Sequence, residues 1–256
     1  MFKKLLAQVG IGAAKVDTRL YFDSLAPGEM VEGEVYITGG DVSQKIDDIY
    51  IYVVTEYLRE EEDTAITEEC ILMQYRLSER FNLEAKEEIV IPFSFPLPEE
   101  TPLTLTSQPV YLRTGLDIPI AVDPKDIDYI EVHPHPLMQA VFDALENLGF
   151  QLHEIDCQYN THFGGRYPFV QEFEFRPMGK YQGHLDELEI IFSLYSEDLE
   201  VFLEIDKRAR GFGGFLEEAF DLDERYVQFQ VTLDDLNLPM GELEGMIEEI
   251  IESQIN

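Results

Sequence analysis

A chain of 256 residues with 45% hydrophobic side chains is long enough for two ordinary domains or one large all-β domain, and too apolar to stay unfolded. Its 52 acidic and 18 basic side chains give a formal charge of −34, which repels phosphate backbones and anionic headgroups within a Debye length and argues against nucleic acid and bare membrane as partners. A basic protein surface stays compatible, and so does a purely solubilising role for the acid. Cys70 and Cys157 are too few and too far apart for a disulfide framework or a zinc site, which fits a reducing compartment.

Phe2, Leu5, Leu6 and Val9 fall at helical spacing and predict a short amphipathic helix ending at Gly10 or Gly12, its apolar face packed on its own domain or on a partner. The opening Met1-Phe2-Lys3-Lys4-Leu5-Leu6 imitates a signal peptide only briefly. Gln8 interrupts the apolar run, Lys15, Asp17 and Arg19 follow, and no stretch approaches the length of a membrane span, so a soluble cytoplasmic protein is expected. Val16, Thr18, Leu20 and Phe22 then keep the two-residue period of a half-buried strand. Ala26-Pro27-Gly28-Glu29 turns the chain, the alternation returns in Val31, Gly33, Val35 and Ile37, and Gly39-Gly40-Asp41 makes the next turn.

The β-branched and aromatic run from Asp48 to Tyr57 predicts a central strand covered on both faces. Glu60-Glu61-Glu62-Asp63 is too charged to bury and predicts an exposed hairpin loop before a strand at Ile71 to Leu77. Ile89 to Pro98 mixes strand formers with Pro92, Pro96 and Pro98, which cannot donate ladder hydrogen bonds, so this is an edge strand leaving its sheet. Strands at Val110 to Arg113 and Asp128 to Val132 complete a first sandwich over residues 1–132, since short strands with frequent turn signals argue against a parallel sheet.

The stiff linker His133-Pro134-His135-Pro136 opens a second domain, 133–256. Leu137, Val141, Leu145 and Leu148 predict a helix stopped by Gly149. Strands follow at Leu152 to Tyr159, Phe169 to Phe175, Leu185 to Leu194, Leu199 to Ile205 and Tyr226 to Val231, read as a second sandwich. A final helix sets Leu243, Met246, Ile247, Ile250 and Ile251 against Glu242, Glu244, Glu248, Glu249 and Glu252; its apolar face docks on its own chain, or in a dimer or partner groove.

Chemistry-bearing motifs are sparse. Gly211-Phe212-Gly213-Gly214 lacks the lysine and the strand-to-helix setting of a phosphate cradle and reads as a turn. Nucleophile motifs give no positive support for catalysis. His153, Cys157 and His162 put three zinc-ligand types within ten residues, at a spacing that matches no standard site. Asp123, Asp126 and Asp128, and later Asp221, Asp223 and Glu224, lack the central glycine and terminal glutamate of an ordered calcium loop. No cofactor or metal is therefore expected. Lys207-Arg208-Ala209-Arg210 is the densest basic cluster in an acidic chain; it binds an acidic partner segment or pairs with acids of its own molecule, where each exposed pair contributes under about 1 kcal/mol.

The Pro27-Gly28-Glu29 turn, the glycine-bounded strand after it, the Pro92-Phe93-x-Phe95-Pro96-Leu97-Pro98 edge and Val110-Tyr111-Leu112-Arg113 resemble, in that order, the first domain of arrestin-like proteins. Gln171-Glu172-Phe173-Glu174-Phe175-Arg176-Pro177, Asp186-Glu187-Leu188-Glu189 and Asp206-Lys207-Arg208-Ala209-Arg210-Gly211 resemble the bacterial SpoOM family of sporulation-control proteins, and that likeness spans nearly the whole chain. The resemblance implies a mainly β fold of two arrestin-like sandwiches and a cytosolic, negative regulatory or scaffolding role around the onset of sporulation and cell division. It supplies no catalytic residue. The expected function is non-enzymatic binding of other proteins, with a homodimer among the possible assemblies; Lys207, Arg208, Arg210, Leu243, Met246, Ile247 and Ile250 are the candidate partner-binding residues. A small-molecule-binding or hydrolytic β-sandwich with a site scattered in sequence is the alternative.

Overall fold

A computed structural model describes residues 13–61, 64–116, 125–160, 163, 165–195, 198–207, 226–239 and 241–255; the helix expected at Phe2 to Val9 lies outside them. The chain divides into two compact units, one up to His133 and one from Pro134 onward. The first holds β1 (Lys15–Leu20), β2 (Ser24–Leu25), β3 (Met30–Thr38), β4 (Gln44–Ile46), β5 (Ile49–Glu61), β6 (Thr64–Ser78), β7 (Phe81–Leu83), β8 (Glu88–Pro96), β9 (Val110–Leu116), β10 (Lys125–Tyr129) and β11 (Glu131–Val132).

Two antiparallel sheets form this unit. One runs β1-β3-β8; in the other β5 lies between β9 and β6, with β10 beyond β9. The alternation in β3 sends Val31, Val35 and Ile37 into the core, and β5 contributes Ile49, Ile51 and Val53 from the facing sheet. Contacts between the layers include the Tyr75 and Phe95 rings, 4.9 Å apart, and a hydrogen bond donated by Thr18 Oγ1 to Thr114 Oγ1 at 2.8 Å. The expected central strand is β5, paired on both sides. Among the described residues β8 pairs only with β3, the edge position at which Pro92 and Pro96 are tolerated.

The Ala26-Pro27-Gly28-Glu29 turn closes with Glu29 N–H donating to the Ala26 carbonyl at 3.1 Å. Gly28 sits at φ +87°, the conformation that a type II turn, with proline favoured at its second position, requires of its third. Backbone bonds from Gly28 to Leu97 and from Leu97 to Glu29, 2.9 and 2.8 Å long, tie this turn to the end of β8.

The second unit begins with α1 (Pro136–Asn147), followed by β12 (Phe150–Tyr159), β13 (Phe169–Pro177), β14 (Leu185–Tyr195), β15 (Asp198–Lys207), β16 (Tyr226–Thr232) and α2 (Glu242–Ile255). Pro136 opens α1, where its missing N–H costs nothing, and the His135 ring accepts from Leu137 N–H. Gly149, at φ +89°, follows the helix end. The five strands form one antiparallel meander, β12 to β16 in chain order. Where the sequence suggests a second sandwich, the layer packed on this sheet among the described residues is helical: Phe142 of α1 lies 5.2 Å from Phe173, 5.8 Å from Phe175 and 5.4 Å from Phe192. Phe173, Phe175, Leu188 and Ile190 need an apolar cover, and two amphipathic helices provide one as well as strands would.

Candidate functional site

The expected partner-binding residues are described only in part. Lys207 ends β15 opposite Leu185, and Arg208 and Arg210 lie outside the described residues. On α2, Ile247 and Ile251 are buried, Leu243 and Ile250 half-buried, and Met246 37% exposed. The helix packs on α1 and β15 of its own unit. Lys180 Nζ donates to Glu248 and, at 2.8 Å, to Glu252, and Asn147 Nδ2 donates to Glu244 at 2.9 Å. Ile247 could meet a partner only if α2 left its seat.

The weak metal readings gain nothing. Cys157 is buried, His153 sits at an irregularity in the β12–β13 pairing, and His162 lies outside the described residues, among which no three ligand-type side chains converge on a metal. Asp126 instead accepts from Thr18 N–H. Burial and the neighbouring Asp126 push Asp128 up to about 6. Asp123, Asp221, Asp223 and Glu224 lie outside the described residues.

A different set of residues does converge, on the outward face of the β10-β9-β5-β6 sheet. Register places Tyr50 opposite Gly115 and Arg76, Gly115 opposite Lys125, and Tyr52 opposite Arg113 and Gln74. Around this crossing lies a pocket of about 570 Å³, walled by Tyr50, Tyr52, Arg113 and Lys125, with Ile71 and Leu116 as its aliphatic lining. Gly115 opens it: a Cβ placed there meets nothing within 4 Å. With any larger residue at this strand position, the side chain would occupy the space.

Arg113 is held in place. Arg113 donates from Nη1 to both Glu69 oxygens, at 2.9 and 3.3 Å, and its guanidinium carbon stands 5.7 Å from the Tyr52 ring centre, a cation–π distance. The Tyr111 hydroxyl also donates to Glu69, at 2.6 Å. These two donors, Tyr111 first and Arg113 second, hold the Glu69 carboxyl below its ordinary value, while burial and the same carboxylate raise Tyr111. Ile71, Ile127 and Tyr129 on the same face are 48, 49 and 67% exposed. None of the lining residues is a serine, cysteine or histidine. The arrangement offers two cations, two phenols and aliphatic surface, which suits anion recognition beside an apolar group.

The second unit presents an opposite electrostatic picture. Glu154, Glu174, Glu189, Glu204 and Tyr226 stand opposite one another across five strands. Glu189 and Glu172 are hydrogen-bonded to each other, and burial together with the Glu172 and Glu204 charges lifts Glu189 to about 8. Burial likewise raises Glu172. Of two adjoining carboxyls, one thus keeps its proton near neutrality. Arg176 reaches Glu174 at 2.9 Å and Glu187 at 3.9 Å, and Phe163 closes the far end against Phe202 and Tyr226, 5.2 and 4.7 Å away.

The sequence model of the family described as SpoOM protein matches residues 2–209. This chain belongs to the SpoOM family. A curated SpoOM relative, the sporulation-control protein spo0M of Bacillus subtilis (strain 168), is 42% identical over 252 residues, 98% of this chain and 97% of the relative. The crystal structure of Spo0M, sporulation control protein, from Bacillus subtilis superposes with a TM-score of 0.86 at 41% identity, over 96% of this chain and 100% of that one. The mainly β SpoOM fold is thereby shared along the chain, and the pocket lies within the residues the family sequence model matches. None of the described helices is long and apolar enough to cross a membrane.

Sequence reasoning misses both the pocket and the carboxyl ladder for the same reason. Tyr50, Tyr52, Arg113 and Lys125 come from three separate strands, and only register joins them. One signal is available: Gly115 interrupts a strand-forming run, and an interior strand glycine marks a bulge or close approach to another group.

Proposed function

We propose that this chain is a non-enzymatic cytoplasmic scaffold that binds protein partners in control of the onset of sporulation and of cell division. The observation carrying this reading is the 42% identity to a sporulation-control protein over 98% of the chain. The β framework supports it by holding an aromatic, cationic pocket on a sheet face. The test replaces the Bacillus subtilis relative with this chain in the chromosome. Restored control of sporulation, with specific proteins crosslinked to the chain as sporulation begins, is the expected result; a strain indistinguishable from the deletion overturns the proposal.

The pocket volume of about 570 Å³ falls in the range of small-ligand sites and favours a second reading, small-molecule binding. In that case a metabolite co-purifies with the chain and no protein crosslinks in the replacement strain.

A further inference from the structure

We infer that the Gly115 pocket receives a carboxylate side chain, with an apolar residue beside it, from an extended acidic segment of a partner protein. The inference rests on the protein-binding reading above and names the chemistry of the partner.

Charge selects the occupant. The chain has only 18 basic residues against 52 acidic ones, yet Arg113 and Lys125 both line this pocket, and Arg76 stands on the neighbouring strand opposite Tyr50. Arg76 is engaged by Asp48 at 2.7 Å. Lys125 has no ion-pair partner among the described residues, and the hydrogen bonds of Arg113 to them all leave from Nη1. The Nε and Nη2 edge of that guanidinium is the fork that a second carboxylate pairs with. Cations held beside phenol rings, in a chain otherwise dominated by acid, form a local attractive site on a repulsive surface.

Shape selects a segment over a helix or a free anion. The pocket holds a few side chains, and the exposed Ile127 and Tyr129 continue the apolar surface beyond it. A free anion would leave that surface uncovered. An extended segment delivers alternate side chains to one face, so a carboxylate in the pocket places apolar neighbours along the same face. Two copies of this chain, each at −34, repel one another over the whole surface, which disfavours a second copy as the occupant.

The experiment titrates the full-length chain with a fluorescein-labelled peptide of about ten residues in which glutamate alternates with leucine and phenylalanine, and with the same peptide carrying glutamine for glutamate. Gly115→Leu projects into the pocket from a Cβ that meets nothing within 4 Å, and Lys125→Glu reverses the charge at that position. Saturable binding of the acidic peptide is expected, weakened about tenfold or more by glutamine and by either substitution, with Tm and circular dichroism unchanged. Equal affinity for both peptides, indifference to Gly115→Leu, or no binding up to roughly 1 mM overturns the inference. So does competition by acetate alone, which identifies a small-anion site, or a dimer in sedimentation that Gly115→Leu abolishes, which identifies a second copy. Failure here leaves the scaffold reading standing if the replacement strain still crosslinks proteins, and that reading fails separately if the wild-type chain does not replace the relative.

Discussion

Gly39 and Gly115 are indistinguishable as letters, and opposite in what a methyl group would do. A Cβ at Gly39 would lie 2.0 Å from the Glu84 carbonyl oxygen, on a backbone already tied by the Gly39 N–H to Glu87 at 2.7 Å. Gly39→Ala is expected to destabilise the first unit by about 2 kcal/mol or more, read as a lower urea midpoint at constant slope; a midpoint equal to that of the parent contradicts this. Titration is similarly opaque in the sequence. About one residue in five is acidic, so only the strand register shows which carboxyls face each other. Glu189 is held at about 8 against an ordinary 4.5, so folding takes up a proton between those values and this group destabilises the fold progressively as pH rises through the window. Glu189→Gln, which keeps a hydrogen-bond donor for Glu172, is expected to raise Tm at about pH 8 and to leave it little changed at about pH 4.5. An equal shift at both pH values contradicts the assignment.

Elements are more legible than sites. The prolines of β8 announce an edge strand, the aromatic and β-branched run of β5 announces a central one, and periodicity locates both described helices because burial follows the local repeat. The repeat cannot say what receives an apolar face. In α2 the answer is α1 and β15, with Ile247 and Ile251 fully enclosed, so the helix that looks available to a partner is a structural part of its own unit. Ile247→Ala and Ile251→Ala should each cost about 2–5 kcal/mol in denaturant unfolding. Loss of well under about 1 kcal/mol would mean that α2 is not seated as described. Lys180 adds two exposed ion pairs to Glu248 and Glu252, a small term beside that burial.

At the scale of the molecule, charge and β patterning by themselves limit the function classes, and the SpoOM resemblance is spread over many weak matches where a catalytic family would show one strong motif. The basic cluster at Lys207 to Arg210 stands out because its charges are adjacent in sequence. Arg113 and Lys125 are separated by eleven residues and meet only because β9 and β10 pair, so a linear reading undervalues them. The role proposed for this chain is regulation through protein contact, with a sheet presenting an aromatic, cationic pocket. The most direct test is the replacement strain, crosslinked in the cell as sporulation begins. Recovery of specific partner proteins together with restored sporulation control is the predicted result. Restored control with no protein crosslinked to the chain would contradict it.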